Sequence, residues 1–266
     1  MTELLVCRPT HFGIEYEINP WMSINEDVDQ DLALHQWDSM CAKLKEAGAA
    51  IRYIEPQVGL PDMVFTANAG LVYKKTVILS NFRHKERQGE KQFFKDWFLK
   101  NGYRVVELPD SVIFEGEGDA LFFNGVLFIG SGFRTDPDAH SIIGKALGVD
   151  VVSCELVDPR FYHLDTCFLP IKDRIIYYKD AFSDFSQNLI IHKLVEIGYD
   201  TGKLDVLSVH EDQAKEFICN SIEINDAIVT PTDMFSLSFS GRKTYTSCMS
   251  EFMKSGGAIK CLTLRL

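Results

Sequence analysis

The sequence has no apolar run near the roughly 18 residues a membrane span needs, and its start, MTELLVCRPTHFGIEYEINPWM, lacks the basic-then-apolar pattern of a secretory leader. Its seven cysteines (7, 41, 154, 167, 219, 248 and 261) form no CxxC pair and are odd in number. That argues against a disulfide framework or a structural zinc site. The expectation is reduced thiols, no metal and no cofactor, in the cytoplasm. Basic residues are scarce: 27 Lys and Arg stand against 38 Asp and Glu, a net charge of -11. Nucleic acid or an anionic membrane would need clustered positive charge, so neither is expected as a partner. No low-complexity stretch, Pro/Gly-rich hinge or long linker divides the chain, which reads as one domain over 1–266.

What is present is an ordinary globular composition, 46% hydrophobic and 24% charged. At 266 residues the chain can bury a full core without staples. A pattern recurs along it. A small polar motif opens an apolar strand, which turns and returns as a second strand: Asn68-AGLVYKKTVILSNF, Asp119-ALFFNGVLFIGSGF and Asp165-TCFLPIKDRIIYYKDAF, with opening residues 51 and 46 positions apart. Asn124-Gly125 is a strong two-residue hairpin turn. Amphipathic helices are expected over 31–48, 92–103 and 186–199, each followed by a short strand (IRYIEP, RVVELP and LDVLSV). Two partial units complete the count. One runs from strand DAIVTP through a helix over 244–257 to a strand over 258–266, and the other is the N-terminal strand LLVCRP. About five hairpin-plus-helix units that cannot bury their own apolar faces must pack on one another, and a closed ring would bring their polar strand starts to one end of its axis.

Several residues there could do chemistry. His163 and Asp165, two apart on an expected strand, would face one pocket, the first as an acid and base and the second as a holder of a cation. Glu115-Gly-Glu117-Gly-Asp119 crowds three carboxylates into five residues. Such a cluster wants a cation, and a planar guanidinium matches bidentate carboxylates. Asp62 offers an acceptor and Asn68 both donor and acceptor at the mouth of the first hairpin. Arg83 and Arg134 end the first two hairpins at equivalent places and could clamp a carboxylate. Asn19 lies in an aromatic N-terminal loop of the kind that forms lids. Cys261, in the expected last strand, could be a nucleophile given a nearby positive charge. Each motif alone has a bland reading: strand-end turn residues, surface ion pairs, a buried small thiol.

Together, FTANAG, EGEGD, HLDTCF and GG-x-x-x-Cys, in that order, resemble the guanidine-modifying superfamily of arginine deiminases, dimethylarginine dimethylaminohydrolases, amidinotransferases and arginine dihydrolases. The resemblance covers nearly the whole chain and implies an α/β fold, the five-bladed α/β propeller or pentein, with ββαβ repeats. INPWM and FTANAG look most like the arginine dihydrolase branch, which converts arginine to ornithine, ammonia and carbon dioxide. Carried over, Cys261 would attack the guanidinium carbon and His163 would act as general acid and base. Glu115 and Asp165 would bind guanidinium nitrogens. Arg83 and Arg134 would hold the α-carboxylate, with Asn19, Asp62, Asn68 and Asp119 completing the substrate site. The chain departs from the deiminase pattern in having Asn68 for Asp and an EGEGD one residue longer than EGGD. The second departure leaves Glu117 as an alternative to Glu115, which is preferred because it keeps the Gly-Asp step intact. The resemblance implies a small-molecule partner, arginine or a derivative, and is compatible with a homo-oligomer. Alternatives are a dimethylarginine dimethylaminohydrolase or deiminase, then an amidinotransferase. Outside enzymes, the alternative is a ribosome-binding factor of the same fold.

Overall fold

The computed structural model describes residues 2–199, 206–233 and 241–266. Its architecture is α/β, with five three-stranded sheets of one topology. In the first, β1 (Glu3–Cys7) pairs in parallel with β2 (Ala50–Ile54). The hairpin of β3 (Gly70–Tyr73) and β4 (Thr76–Leu79) then takes up parallel β5 (Arg104–Glu107). β6 (Ala120–Phe123), β7 (Val126–Ser131) and β8 (Val151–Glu155) repeat the scheme, as do β9 (Phe168–Ile171), β10 (Arg174–Tyr177) and β11 (Val206–Ser208). β12 (Ile222–Ile224), β13 (Ala227–Thr230) and β14 (Lys243–Thr246) form the fourth repeat. Finally β15 (Leu264–Arg265) returns antiparallel to β1, so the first and last strands share a sheet.

Local chemistry explains these elements. Asn124 and Gly125 both have positive φ, the primed turn whose twist suits a hairpin. A parallel strand pair needs a crossover, and among the described residues helices supply it in four of the sheets. The first, Gln30–Glu46, is capped by Asp29, whose carboxylate accepts from Leu32 N–H; it buries Trp37, Met40 and Leu44. Helices Glu90–Lys100 and Asp184–Glu196 bury Phe94 and Phe98, and Ile190 and Leu194. A further helix, Pro137–Leu147, starts on a proline already shaped for its first turn and ends at left-handed Gly148. Side chains from neighbouring sheets share cores: Phe128 and Leu121 pack with Phe168 and Ile176.

Three expectations are corrected. The segment 244–257 is not one helix: 243–246 pairs with β13, and only Ser250–Met253 is helical. The strand expected over 258–266 shrinks to Leu264–Arg265, because Leu262 N–H bonds Ala258 O and Thr263 N–H bonds Lys260 O in a tight turn that holds Cys261. His163 and Asp165 are not on a strand; they begin a single helical turn, Leu164–Thr166. The strand expected over 204–209 begins outside the described residues and is seen from Val206. Among the described residues no helix is long and apolar enough to cross a membrane.

Candidate active site

Asn68, Glu115, Asp119, His163 and Asp165 sit in or beside a turn just before the first strand of a hairpin, and Cys261 before β15. One helical turn precedes each hairpin: Thr66–Ala69 before β3, Gly116–Asp119 before β6, Leu164–Thr166 before β9 and Ile218–Asn220 before β12. The Cys261 turn takes the same place before β15. These turns touch in succession. Ala67 N–H donates to Cys261 O, joining the first to the last. Leu164 N–H donates to Asp119 Oδ1 at 3.1 Å. Asn220 Nδ2 donates to Asp165 O at 3.0 Å.

Cys261 is buried among polar groups. Its Sγ receives a hydrogen bond from Asn220 Nδ2 at 3.0 Å and lies 3.3 Å from Asp165 Oδ2. Burial first, then the facing Asp165 carboxylate, push its pKa well above the usual thiol range; Asn220 and Lys260 oppose them. The thiol therefore rests protonated and points at the carboxylate. Burial likewise raises Asp165 to about 6, against the pull of His163 and Lys260.

Asn220 was not foreseen. It also accepts from Ala258 N–H and Cys261 N–H through Oδ1, so one amide fixes both the turn and the sulfur. The signal was available: Asn220 opens a fourth hairpin, ICNSIEINDAIVT, whose turn residue Asn225 has positive φ. The strands are only three and four residues long, and the pattern was read from β13 alone.

Beside this cluster, His163 Nε2 meets Glu115 Oε2 at 2.8 Å. Glu115 also accepts from Arg134 Nη1 at 2.9 Å and from Arg83 N–H at 3.1 Å. Burial would raise this carboxyl, but Arg134 and His163 outweigh it and hold Glu115 well below the usual range. Glu117, two residues on, turns elsewhere: it pairs with Lys260 Nζ at 2.8 Å and accepts from Arg265 N–H. Gly118 lets the two sides approach. A Cβ there would fall 2.3 Å from Asn68 Nδ2 and 3.3 Å from the His163 ring.

A small enclosed cavity completes the site, lined by Asn19, Asp62, Asn68, Arg87, Arg134 and Cys261 among others. Its space for water-sized centres is about 10 Å³, room for about one water. The N-terminal loop closes it: Asn19 Nδ2 donates to Ser255 O, Arg134 Nη2 to Ile18 O, and Tyr16 Oη to Asp62. Three residues of its wall carry a buried polar atom with no hydrogen-bond partner: Asp62 Oδ1, Asn68 Nδ2 and Ser255 Oγ.

Four of the expected substrate contacts do not line this cavity: Asp165 and Glu115 adjoin it through Cys261 and Arg134, while Arg83 and Asp119 turn elsewhere. Arg83 ends in a half-exposed pair with Asp136 at 2.5 Å, so it does not partner Arg134 in a clamp. Asp119 accepts from Thr135 Oγ1 and Leu164 N–H, tying two loops together. The guanidinium beside Arg134 on the cavity wall belongs instead to Arg87, which is 3% exposed. It lies in RHKERQGEK, a run that reads as solvated surface. The buried Glu90 carboxylate, at 2.7 Å, balances its charge there. Among the described residues, no group of three or more His, Cys, Asp or Glu could hold a metal ion.

The comparisons with known proteins meet on this geometry. The family model for eukaryotic N,N dimethylarginine dimethylhydrolase matches residues 8–266. The chain belongs to that family. It is 44% identical to the bifunctional arginine dihydrolase/ornithine cyclodeaminase ArgZ of Synechocystis, over 99% of this chain but 37% of ArgZ. The chain thus spans little more than a third of that relative's length. It is 36% identical to the dimethylarginine dimethylaminohydrolase of Mycobacterium tuberculosis, over 97% of this chain and 83% of the relative. Among solved structures it is similar to the N-terminal domain of ArgZ, a cysteine-to-serine mutant bound to substrate, with a TM-score of 0.92 and 41% identity over 100% of this chain and 98% of that one. The same domain with an asparagine replaced by serine, covalently bound to a reaction intermediate, matches equally.

Proposed function

We propose that this chain is a guanidine hydrolase that uses Cys261 as nucleophile, and that its reaction is that of an arginine dihydrolase: arginine and two waters to ornithine, two ammonia and carbon dioxide. The observation that carries this reading is the placement of the Cys261 thiol between Asn220 and Asp165, on a closed cavity whose other wall bears two buried guanidinium groups. On this reading the five sheets are the blades of a closed propeller within one catalytic domain, and the linked strand-start turns are its axis.

A substrate guanidinium entering beside Asp165 supplies the positive charge the thiol lacks, so binding favours the thiolate. The sulfur attacks the guanidinium carbon. His163 protonates the departing ammonia and then takes a proton from the water that opens the thiouronium adduct. Glu115, bonded to His163 Nε2, orients the ring and stabilises its charged form; its oxygens are already largely occupied in this state, by His163, Arg134 and Arg83 N–H. Arg87 and Arg134 hold the α-carboxylate, and Asp62, acceptor-only when ionised, holds the α-ammonium.

Asn68 makes the difference between one hydrolysis and two. Its free Nδ2 can donate to the oxygen of a ureido group, which a guanidinium lacks. Holding the citrulline-like intermediate exposes its carbon to a second attack. The ArgZ domain carrying a reaction intermediate supports this: its replaced asparagine and the cysteine replaced in the substrate-bound form are as far apart in sequence as Asn68 and Cys261.

Incubation with L-arginine, scoring ornithine, citrulline and ammonia per arginine consumed, tests the reading. Ornithine with two ammonia supports it; citrulline as sole product overturns the second step. The second reading is dimethylarginine hydrolysis, favoured by the family model and the mycobacterial relative. It predicts faster turnover of N-methylated arginines than of arginine in the same assay.

A further inference from the structure

Asn68 donates from Nδ2 only if its amide is held one way round, and the structure contains a device that does so. Arg87 Nη1 lies 2.7 Å from Asn68 Oδ1. A guanidinium has donors and no acceptor, so the Asn68 atom facing it must be the oxygen. The NH₂ then points away from Arg87, toward Gly118 beside the His163 ring, and it has no partner there. An amide turned over would place two donors against one another.

Arg87 is itself immobilised. Glu90 takes it side-on, Nε to Oε1 at 2.7 Å and Nη2 to Oε2 at 2.9 Å, and Nη2 also donates to Asp62 O at 3.1 Å. Four of its five N–H groups are thus assigned, one of them to Asn68. Glu90 is fully buried and Arg87 nearly so. Their mutual pairing offsets the cost of burying both charges only while the fork geometry holds. Glu90 opens the helix Glu90–Lys100, whose Phe94 and Phe98 are buried, so the carboxylate is anchored to the core.

We propose that Glu90 is a positioning residue for the second hydrolysis: through Arg87 it fixes the Asn68 amide with its NH₂ toward the substrate, and so decides whether the ureido intermediate is kept or released. This rests on the dihydrolase reading. It predicts that loosening Glu90 shifts the products more than the rate of arginine consumption.

The experiment compares wild type, Glu90→Gln and Glu90→Asp on two substrates, arginine and added citrulline. Glu90→Gln keeps the shape but can accept only one of the two Arg87 bonds. Glu90→Asp keeps the charge and shortens the reach by one methylene, which guards against a variant that does not fold. The readouts are the citrulline-to-ornithine ratio from arginine and the ratio of citrulline to arginine hydrolysis rates. Both are ratios within one preparation, so a partly unfolded sample does not move them. The expected result is a rise in released citrulline on the order of tenfold in Glu90→Gln, the scale of one charge-assisted hydrogen bond, with Glu90→Asp between it and wild type. Unchanged product ratios in both variants, with wild type making ornithine, overturn the role of Glu90 alone. Wild type that makes only citrulline overturns the dihydrolase reading on which it rests.

Discussion

Glu115 and Glu117 lie two residues apart in one short segment, yet they serve two different cavities. Glu115 adjoins the small closed site through Arg134, which lines it, and meets His163 on its other side. Glu117 lines a larger cavity of about 320 Å³, with Phe122, Phe168, Ile222, Lys260 and Arg265 among its walls. The first brings Asp62, Arg87, Arg134 and Cys261 together on its wall. The second sets a buried ion pair, Lys260 with Glu117 at 2.8 Å, among apolar side chains and the charged Lys172, Glu223 and Arg265. Both regions grow from the same strand-start turns. The contrast teaches that the repeat supplies positions, while the partner each residue finds decides whether a carboxylate takes part in chemistry or in structure.

The hardest test of this contrast is the nucleophile. Cys261→Ser should lower turnover of arginine on the order of 10⁴-fold or more while leaving the fold intact, since the hydroxyl can keep the Asn220 contact. Residual activity near wild type would refute Cys261 as the attacking group. The next test sets the two glutamates against each other. Glu115→Gln should cut kcat about 10²- to 10⁴-fold, the range of a lost acid–base partner, and it leaves Arg134 buried without its carboxylate, a loss of about 3–5 kcal/mol as well. Glu117→Gln should share the loss of stability but not the loss of kcat. It leaves the Lys260 charge buried without its partner, a loss of about 3–5 kcal/mol visible in urea unfolding, while the folded fraction keeps far more activity than Glu115→Gln. Equal kinetic damage from both would erase the distinction between the cavities.

Asn220 takes part in both chemistry and structure. Asn220→Ala strands the buried N–H groups of Ala258 and Cys261, at about 1–3 kcal/mol each, and also frees the sulfur. We expect lower stability together with a slower first hydrolysis, measured by unfolding and by steady-state kinetics. Stability lost with kcat unchanged would make Asn220 a structural residue only.

How far the sequence reached follows the same division. The paired apolar strands, the Asn124-Gly125 turn and the amphipathic helices were legible because each is a local pattern with a local cause. So was the spacing of Asn68, Asp119 and Asp165. Arg87 was not, since a charged run reads as solvated surface until the fold buries it against Glu90. The turn at Cys261 was hidden for the opposite reason: AIKCLTL has strand propensity, and the tertiary hydrogen bond from Lys260 N–H to Asn220 O helps override it. Arg83 and Arg134 matched in sequence, yet one emerges at the surface beside Asp136 and the other enters the core.

The smallest expected effect is a pH limb, and its midpoint separates the two regions however much of a variant is folded. Asp165 must be ionised to hold a guanidinium, and burial raises its pKa in the free protein to about 6. A raised carboxyl is protonated, and so neutral, below that value. With arginine, kcat/KM should therefore fall about tenfold per pH unit below 6. Glu115 is held well below the usual range and stays ionised there, so it adds no second limb near 6. Asp165→Asn should remove the limb along with most of the activity, whereas Glu117→Gln should leave its midpoint in place. A limb that moves with Glu117 instead of Asp165 would mean that the proton controlling activity sits on the far side of Lys260, and that the two cavities act as one.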